Sequence, residues 1–211
     1  MAKTMIASEH PLMTDGQLDV LVDKFRAAAR KHRAEFTSEA TQQVLGLENL
    51  GMELLAPFRA RFEAISRFIV RKVKVDRSRT PQQALDATGR KQYITRSVVD
   101  AMPRTKTEGI EEVDFYLFRP RPEAIVNGVI SCKALEAEFA FNSLKPDPIA
   151  QAAFNEQNPE FAHTQPNGTQ WRDKDNKFCF AAFFRIGGAP CVNVNRDGSG
   201  WDDGWVFGGV R

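Results

Sequence analysis

No stretch of this chain approaches the ~18 consecutive apolar residues that a membrane-spanning helix needs. Near the N-terminus, Glu9, His10 and Pro11 interrupt any apolar run before it reaches the roughly 7–15 residues of a secretory leader. Cysteine is scarce. Cys132, Cys179 and Cys191 make an odd count with no CxxC pair, which argues against an oxidised framework. The expected compartment is therefore cytoplasmic. His10, His32 and His163 lie far apart, and neither HExxH nor a zinc-finger spacing occurs. A GxSxG elbow and a Walker A loop are also missing. These absences remove the familiar metal, nucleophile and phosphate-cradle chemistries. No catalytic residue, no metal and no cofactor is expected.

What is present is the composition of a folded protein. The 211 residues are 42% apolar and 27% charged. That suits one generous domain or two small ones sharing a core, and excludes a disordered chain. The net charge is only +2, but it is unevenly placed. Residues 1–58 carry 6 basic and 8 acidic groups; residues 59–106 carry 13 and 4; residues 107–211 carry 10 and 15. The middle block is thus net +9. A basic stripe of this kind is the footprint of a polyanion partner, unless the acidic flanks neutralise it within the chain or across an oligomer.

Helix signals dominate the first third. Thr14 with Gln17 forms a capping box, and Leu18, Leu21, Val22, Phe25, Ala28 and Ala29 recur at helical spacing over about 15–33. Ser38 is placed to cap a second helix ending near Gly46. A third apolar series runs from Leu47 to Ile65 with Pro57 inside it, so that helix kinks or a new one begins there. Alternation then appears in Arg71–Val75, with Lys72 and Lys74 on the solvent face. Thr80–Pro81 opens a short helix stopped by Gly89, and Tyr93 begins a brief extended piece. A helical turn is expected over 97–101, and a strand over 113–118 with Glu111 and Glu112 leading in. Ser131 caps a helix to about Asn142, and Pro148 starts another to about Asn155. Residues 165–168 read as a turn.

The C-terminal residues change character. Two strand-like runs flank Gly187–Gly188, a hairpin signal. With 169–172 and 205–207 they read as a four-stranded antiparallel meander whose last strand is an edge or is covered. The expected fold is α+β: an N-terminal helical region (1–66), then an α+β domain (67–211). That domain has a small mixed middle with a basic strand and loop (67–106) and the C-terminal β-meander (169–210). Segregated elements argue against a doubly wound sheet.

The segments VDRSRTPQQALDATGRKQY, NPEFAHTQPNGTQWRDKDNKFCFAAF and WVFGGVR resemble a group of small conserved hypothetical bacterial proteins of the candidate-phylum type, over roughly residues 65–211. The resemblance implies an ordered unit in a bacterial-type cell. It brings no activity, partner or site residue with it.

Several residue groups suit either a chemical or a plainer role. Arg71, Lys72, Lys74, Arg77, Arg79, Arg90, Lys91 and Arg96 can neutralise phosphates, but only Phe68 and Tyr93 lie near them for stacking. Asn193, Asn195, Asp197 and Ser199 are spaced somewhat like a calcium loop, yet Gly204 stands where the bidentate Glu belongs. Asp173 and Asp175 likewise read as turn residues. Cys132, His163 and Glu138 can be drawn as a triad, as in any chain with three Cys and three His; Cys179 reads as a small buried hydrophobe. Trp171, Trp201 and Trp205 beside Asn, Asp and Gly suit either a ligand platform or the core of a small sheet, with Trp201 the one expected to be exposed. The expected function is a non-enzymatic binding or assembly protein. It uses its amphipathic helices and the basic surface over 67–96 for protein partners or self-association. The alternative is a nucleic-acid-binding protein that uses the same block on phosphates.

Overall fold

Thr14 opens the first helix as its capping box predicts: its hydroxyl accepts from the Gln17 amide while Gln17 reaches back to the Thr14 N–H. The computed structural model of the chain describes residues 13–65, 68–196 and 198–211. The stretch with Glu9, His10 and Pro11, the expected domain junction at 66–67 and Asp197 lie outside them. Two compact units divide at Ala60 and Arg61.

The first unit is helical. Helix α1 (Asp15–Lys31) is followed by a short 3-10 turn, α2 (Ser38–Leu45) and α3 (Leu50–Ile65). Thr37, one residue before the expected Ser38, is the cap of α2. Helix α3 runs through Pro57, although Pro57 has no N–H to give to the previous turn. None of the described side chains over 13–59 is buried.

The second unit is α+β. Its strands and helices, in chain order, are β1 (Phe68–Asp76), α4 (Pro81–Asp86), β2 (Lys91–Ile94), α5 (Arg96–Asp100), β3 (Ile110–Phe118), β4 (Val129–Ile130), α6 (Cys132–Phe141), α7 (Pro148–Gln157), α8 (Phe161–Thr164), β5 (Asn167–Arg172), β6 (Phe178–Ile186), β7 (Ala189–Arg196), β8 (Trp201–Asp202) and β9 (Val206–Gly209). Helices and strands are interleaved along the chain rather than segregated. Seven strands form one mixed sheet in the order β1-β3-β9-β5-β6-β7-β2, and β4 pairs β8 separately.

The expected meander is corrected in two respects. The β5–β6–β7 part is antiparallel, with the Gly187–Gly188 turn at positive φ. Strand β9, however, lies parallel to β5 and antiparallel to β3, in the interior of the sheet. Asn167 and Gly168, expected in a turn, belong to β5.

One face of the sheet carries Ile69, Val73, Val75, Phe115, Leu117, Phe183, Val192 and Val194, packed with Phe154 of α7, Leu85 of α4, and Val98 and Val99 of α5. The opposite face carries Phe118, Ala182 and Phe207 under Leu135 and Phe139 of α6 and under Trp201. Period-two alternation on β3 and β6 sends successive side chains to opposite cores. A buried amide network links the sheet to α7: the Asn167 Oδ1 accepts from Gln151 (2.7 Å) and from Asn155 (2.8 Å).

Several carboxyl groups are held below their ordinary values. Glu111 is lowered by hydrogen bonds from Lys106 and Arg77, and Asp173 by the backbone N–H of Lys177 above all. A carboxylate with a depressed folded-state pKa binds its proton first in the unfolded chain, so its stabilisation is present above the unfolded pKa and lost on acidification. The urea midpoint is expected to be flat at neutral pH and to fall below about pH 5, as the ordinary carboxylate pKa of ~4 is crossed. A midpoint that rises on acidification contradicts these contacts.

Candidate functional site

The basic block does not form one surface. Strands β1 and β2, which carry Arg71, Lys72, Lys74 and Lys91, are the two outer strands of the sheet. Six strand spacings of about 4.8 Å place them roughly 29 Å apart. At the β1 edge, Lys72 sits opposite Asp114, at 3.1 Å, and also pairs with Glu112. The Asp114 hydrogen bond and charge, then Glu112, raise the Lys72 pKa. Lys74 is exposed opposite Glu112, and Arg71 donates to the Val70 carbonyl. The acidic lead-in of β3 thus lies along the basic strand, as its sequence position suggests.

Beyond the strand, Arg79 pairs with Glu156 at 2.6 Å. Arg77 is buried between Glu111 and Asp147, each 2.8 Å away. At the β2 edge, Arg90 is buried, donates to the Pro159 carbonyl and lies over the Phe183 ring; burial lowers its pKa. Lys91 is exposed beside Tyr93, and Arg96 pairs with Asp100. Of the eight nominated residues, Arg77 and Arg90 serve the interior, and Lys72, Arg79 and Arg96 face carboxylates.

The other sequence candidates separate too. Glu138 is buried and taken by the Arg121 guanidinium at 2.7 Å, His163 pairs with Glu160, and Cys132 opens α6, so the drawn triad does not assemble. Cys179 is buried, and burial raises its thiol pKa. Asn193 and Asn195 belong to β7, not to a loop. Among the described residues no three His, Cys, Asp or Glu converge as metal ligands.

The aromatic residues do build a site. Alternation along β6 puts Phe180, Ala182 and Phe184 on the α6 face. Register places Gly168 and Asn193 beside Ala182, and Gln170 and Asn195 beside Phe180. The row of small residues is a hollow in the sheet. Trp201 closes over it. A Cβ on Gly168 would meet the Trp201 ring at 3.0 Å, so only glycine leaves room for the indole. The indole N–H donates to Gln170 Oε1 at 3.1 Å, and Gln170 Nε2 donates to the Cys132 carbonyl at 2.6 Å.

Trp201 is only 8% exposed, which corrects its expected exposure. The reason is non-local: the β8–β4 pair sets Trp201 opposite Ile130 and folds the Gly/Asp turn back on the sheet. Trp205 meets Trp201 at 5.0 Å, while Trp171 packs on the opposite face. What remains is a cavity of about 330 Å³ lined by Phe180, Phe184, Trp201, Trp205, Asn193 and Asp202, with smaller residues between them. The sequence reading does not single out Phe180 and Phe184, and it weighs Asn193 only for a calcium-like loop, although their alternation on two hairpin strands is visible. No family model, no curated protein and no solved structure matches the chain.

Proposed function

We propose that this chain is a non-enzymatic binding and assembly protein that associates with a second copy of itself through the helices of its first unit. The observation that carries this reading is the exposure of an entire apolar repertoire. Phe25 is 59% exposed and Phe36 60%, and Leu45, Leu47, Met52 and Leu54 are exposed as well. The helices α1, α2 and α3 leave between them a groove of about 800 Å³ lined by Phe25, Ala29, Phe36, Val44, Leu45 and Leu54. Helices gain most of their stability from packing an amphipathic face. Three helices with no buried side chain among the described residues over 13–59 therefore call for an external apolar surface, and the unit's own Leu47, Leu55 and Phe58 supply one to a copy. Burial of each large side chain contributes about 1.5–3 kcal/mol. With 6 basic and 8 acidic groups over 1–58, two copies repel each other little.

Multi-angle light scattering across concentration is the test. The full chain is expected to weigh more than a monomer, increasingly so at higher concentration and unchanged by nuclease. Phe25→Asp/Leu54→Asp is expected to be monomeric. A wild-type chain that stays monomeric at every concentration removes the reading.

The alternative, phosphate contact through 67–96, has weaker support because its charges are divided between two sheet edges and largely paired. It predicts a 260/280 nm absorbance ratio that is high on purification and falls in high salt.

A further inference from the structure

We propose that the cavity beneath Trp201 and Trp205 binds a small organic cation, a methylated or quaternary ammonium group, held against the rings with Asp202 as its counter-ion. This rests on the second unit alone and does not depend on self-association. Three observations point to it. The first is the orientation of the rings. Trp201 meets Phe180 at 73° and Trp205 at 65°, and Phe184 meets Trp205 at 60°. Each of these three ring contacts is strongly tilted, so none of them is a parallel stack that would sandwich a flat heterocycle. Rings in several planes around one hollow form a concave aromatic corner, the surroundings that attract a rounded cation through the negative ring faces.

The second is charge. The described lining contains no lysine or arginine, and its one charged group is Asp202. Among the described residues no cation pairs with Asp202, which ends β8, and the exposed Asp203 follows it. A carboxylate at an aromatic cavity without a protein cation favours a ligand that carries the positive charge.

The third is the fixed polarity of the cavity. The Gln170 amide is used at both ends, by Trp201 and by the Cys132 carbonyl. The Thr95 hydroxyl donates to Asn195 Oδ1, and Asn195 Nδ2 donates to Asn193 Oδ1 at 2.5 Å. Asn193 is thereby turned so that its amide N–H groups are the ones left for a ligand. They suit an oxygen acceptor carried a few bonds from the ammonium. The volume of about 330 Å³ lies near the lower end of the roughly 300–1,000 Å³ of small-molecule sites, which fits a compact head group rather than a dinucleotide.

The test is tryptophan fluorescence of the 211-residue chain titrated with choline and, in parallel, with 3,3-dimethylbutan-1-ol. The latter has the same shape and hydroxyl but no charge. Choline is expected to give a saturable change in the millimolar range or below. The neutral isostere and Asp202→Asn are each expected to weaken binding about tenfold, as one cation–π or charge contact of ~1–2 kcal/mol implies. Trp205→Leu is expected to abolish it. Asp202 is exposed and its side chain holds no other described residue by a hydrogen bond or ion pair, so Asp202→Asn keeps the fold even if Trp205→Leu does not; far-ultraviolet circular dichroism checks both. No saturable change with choline overturns the proposal. Equal binding of the isostere, or choline binding indifferent to Asp202→Asn, overturns it as well and leaves an apolar pocket without charge selectivity.

Discussion

Asp147→Ala is expected to lower the free energy of unfolding by about 4 kcal/mol, because it strips a buried guanidinium of its partner and a helix of its cap. Tryptophan fluorescence in urea is the readout; all three tryptophans lie between 171 and 205 and so report on the second unit. Asp147 and Arg77 are both nearly inaccessible, at 2% and 3%. Asp147 Oδ1 accepts from Arg77 Nη1 at 3.1 Å, and Oδ2 lies 2.8 Å from Nη2. The same carboxylate caps α7 by accepting from the Ala150 N–H at 2.9 Å. Removing one member of a buried ion pair leaves the other charge stranded, at roughly 3–5 kcal/mol, and losing an N-cap adds about 1. Glu111 still faces Arg77 at 2.8 Å and offsets part of this.

Two variants separate the causes. Asp147→Asn keeps a capping oxygen and should recover the smaller share. Arg77→Met/Asp147→Leu removes both charges and should recover most of the larger one, since well-packed apolar replacements of buried pairs are often neutral. A loss below about 1 kcal/mol for Asp147→Ala places Arg77 in water after all.

Arg77 shows how far the sequence could be read. Its type and its place in a +9 block nominate it for a polyanion, and nothing within ten residues contradicts that. The answer lies 70 residues away, in an aspartate whose local signal was its position before Pro148 at a helix start. Most local signals were legible. The box at Thr14, the helix start at Thr80–Pro81, the cap at Ser131 and the Gly187–Gly188 turn all act within four residues, and all stand in the structure. Apart from β1 with β3, whose opposite charges hint at each other, pairings without a turn were not legible. The parallel pairs β2–β7 and β5–β9 and the β4–β8 bridge carry no local mark, and they decide the strand order, the splitting of the basic block and the burial of Trp201. The aromatic cavity was half legible for the same reason. Its tryptophans were conspicuous, while its floor depends on register across β5, β6 and β7.

Strand β9 gives the second large effect. Gly208→Ala is expected to cost about 3 kcal/mol on the same urea assay, at the upper end of overpacking penalties. Read locally, Val206–Gly209 near the chain end looks like an edge, where an added methyl meets only water. In the structure all four residues are buried between β3 and β5. A Cβ on Gly208 would stand 2.2 Å from Gln151 Oε1 and 2.3 Å from Phe115 Cζ. Neither neighbour can yield cheaply. Phe115 is fully buried and stacked on Phe154 at 5.4 Å, and Gln151 is tied to Asn167. The stiffer unfolded chain of an alanine variant returns only about 0.4–1 kcal/mol. Gly204→Ala is the internal control: the same methyl finds nothing within 4 Å and should leave the midpoint almost unchanged. If the two alanines behave alike, β9 is not inside the sheet. If Gly208→Ala alone unfolds early, the two adjacent glycines are there because α7 and α6 press on opposite sides of one central strand.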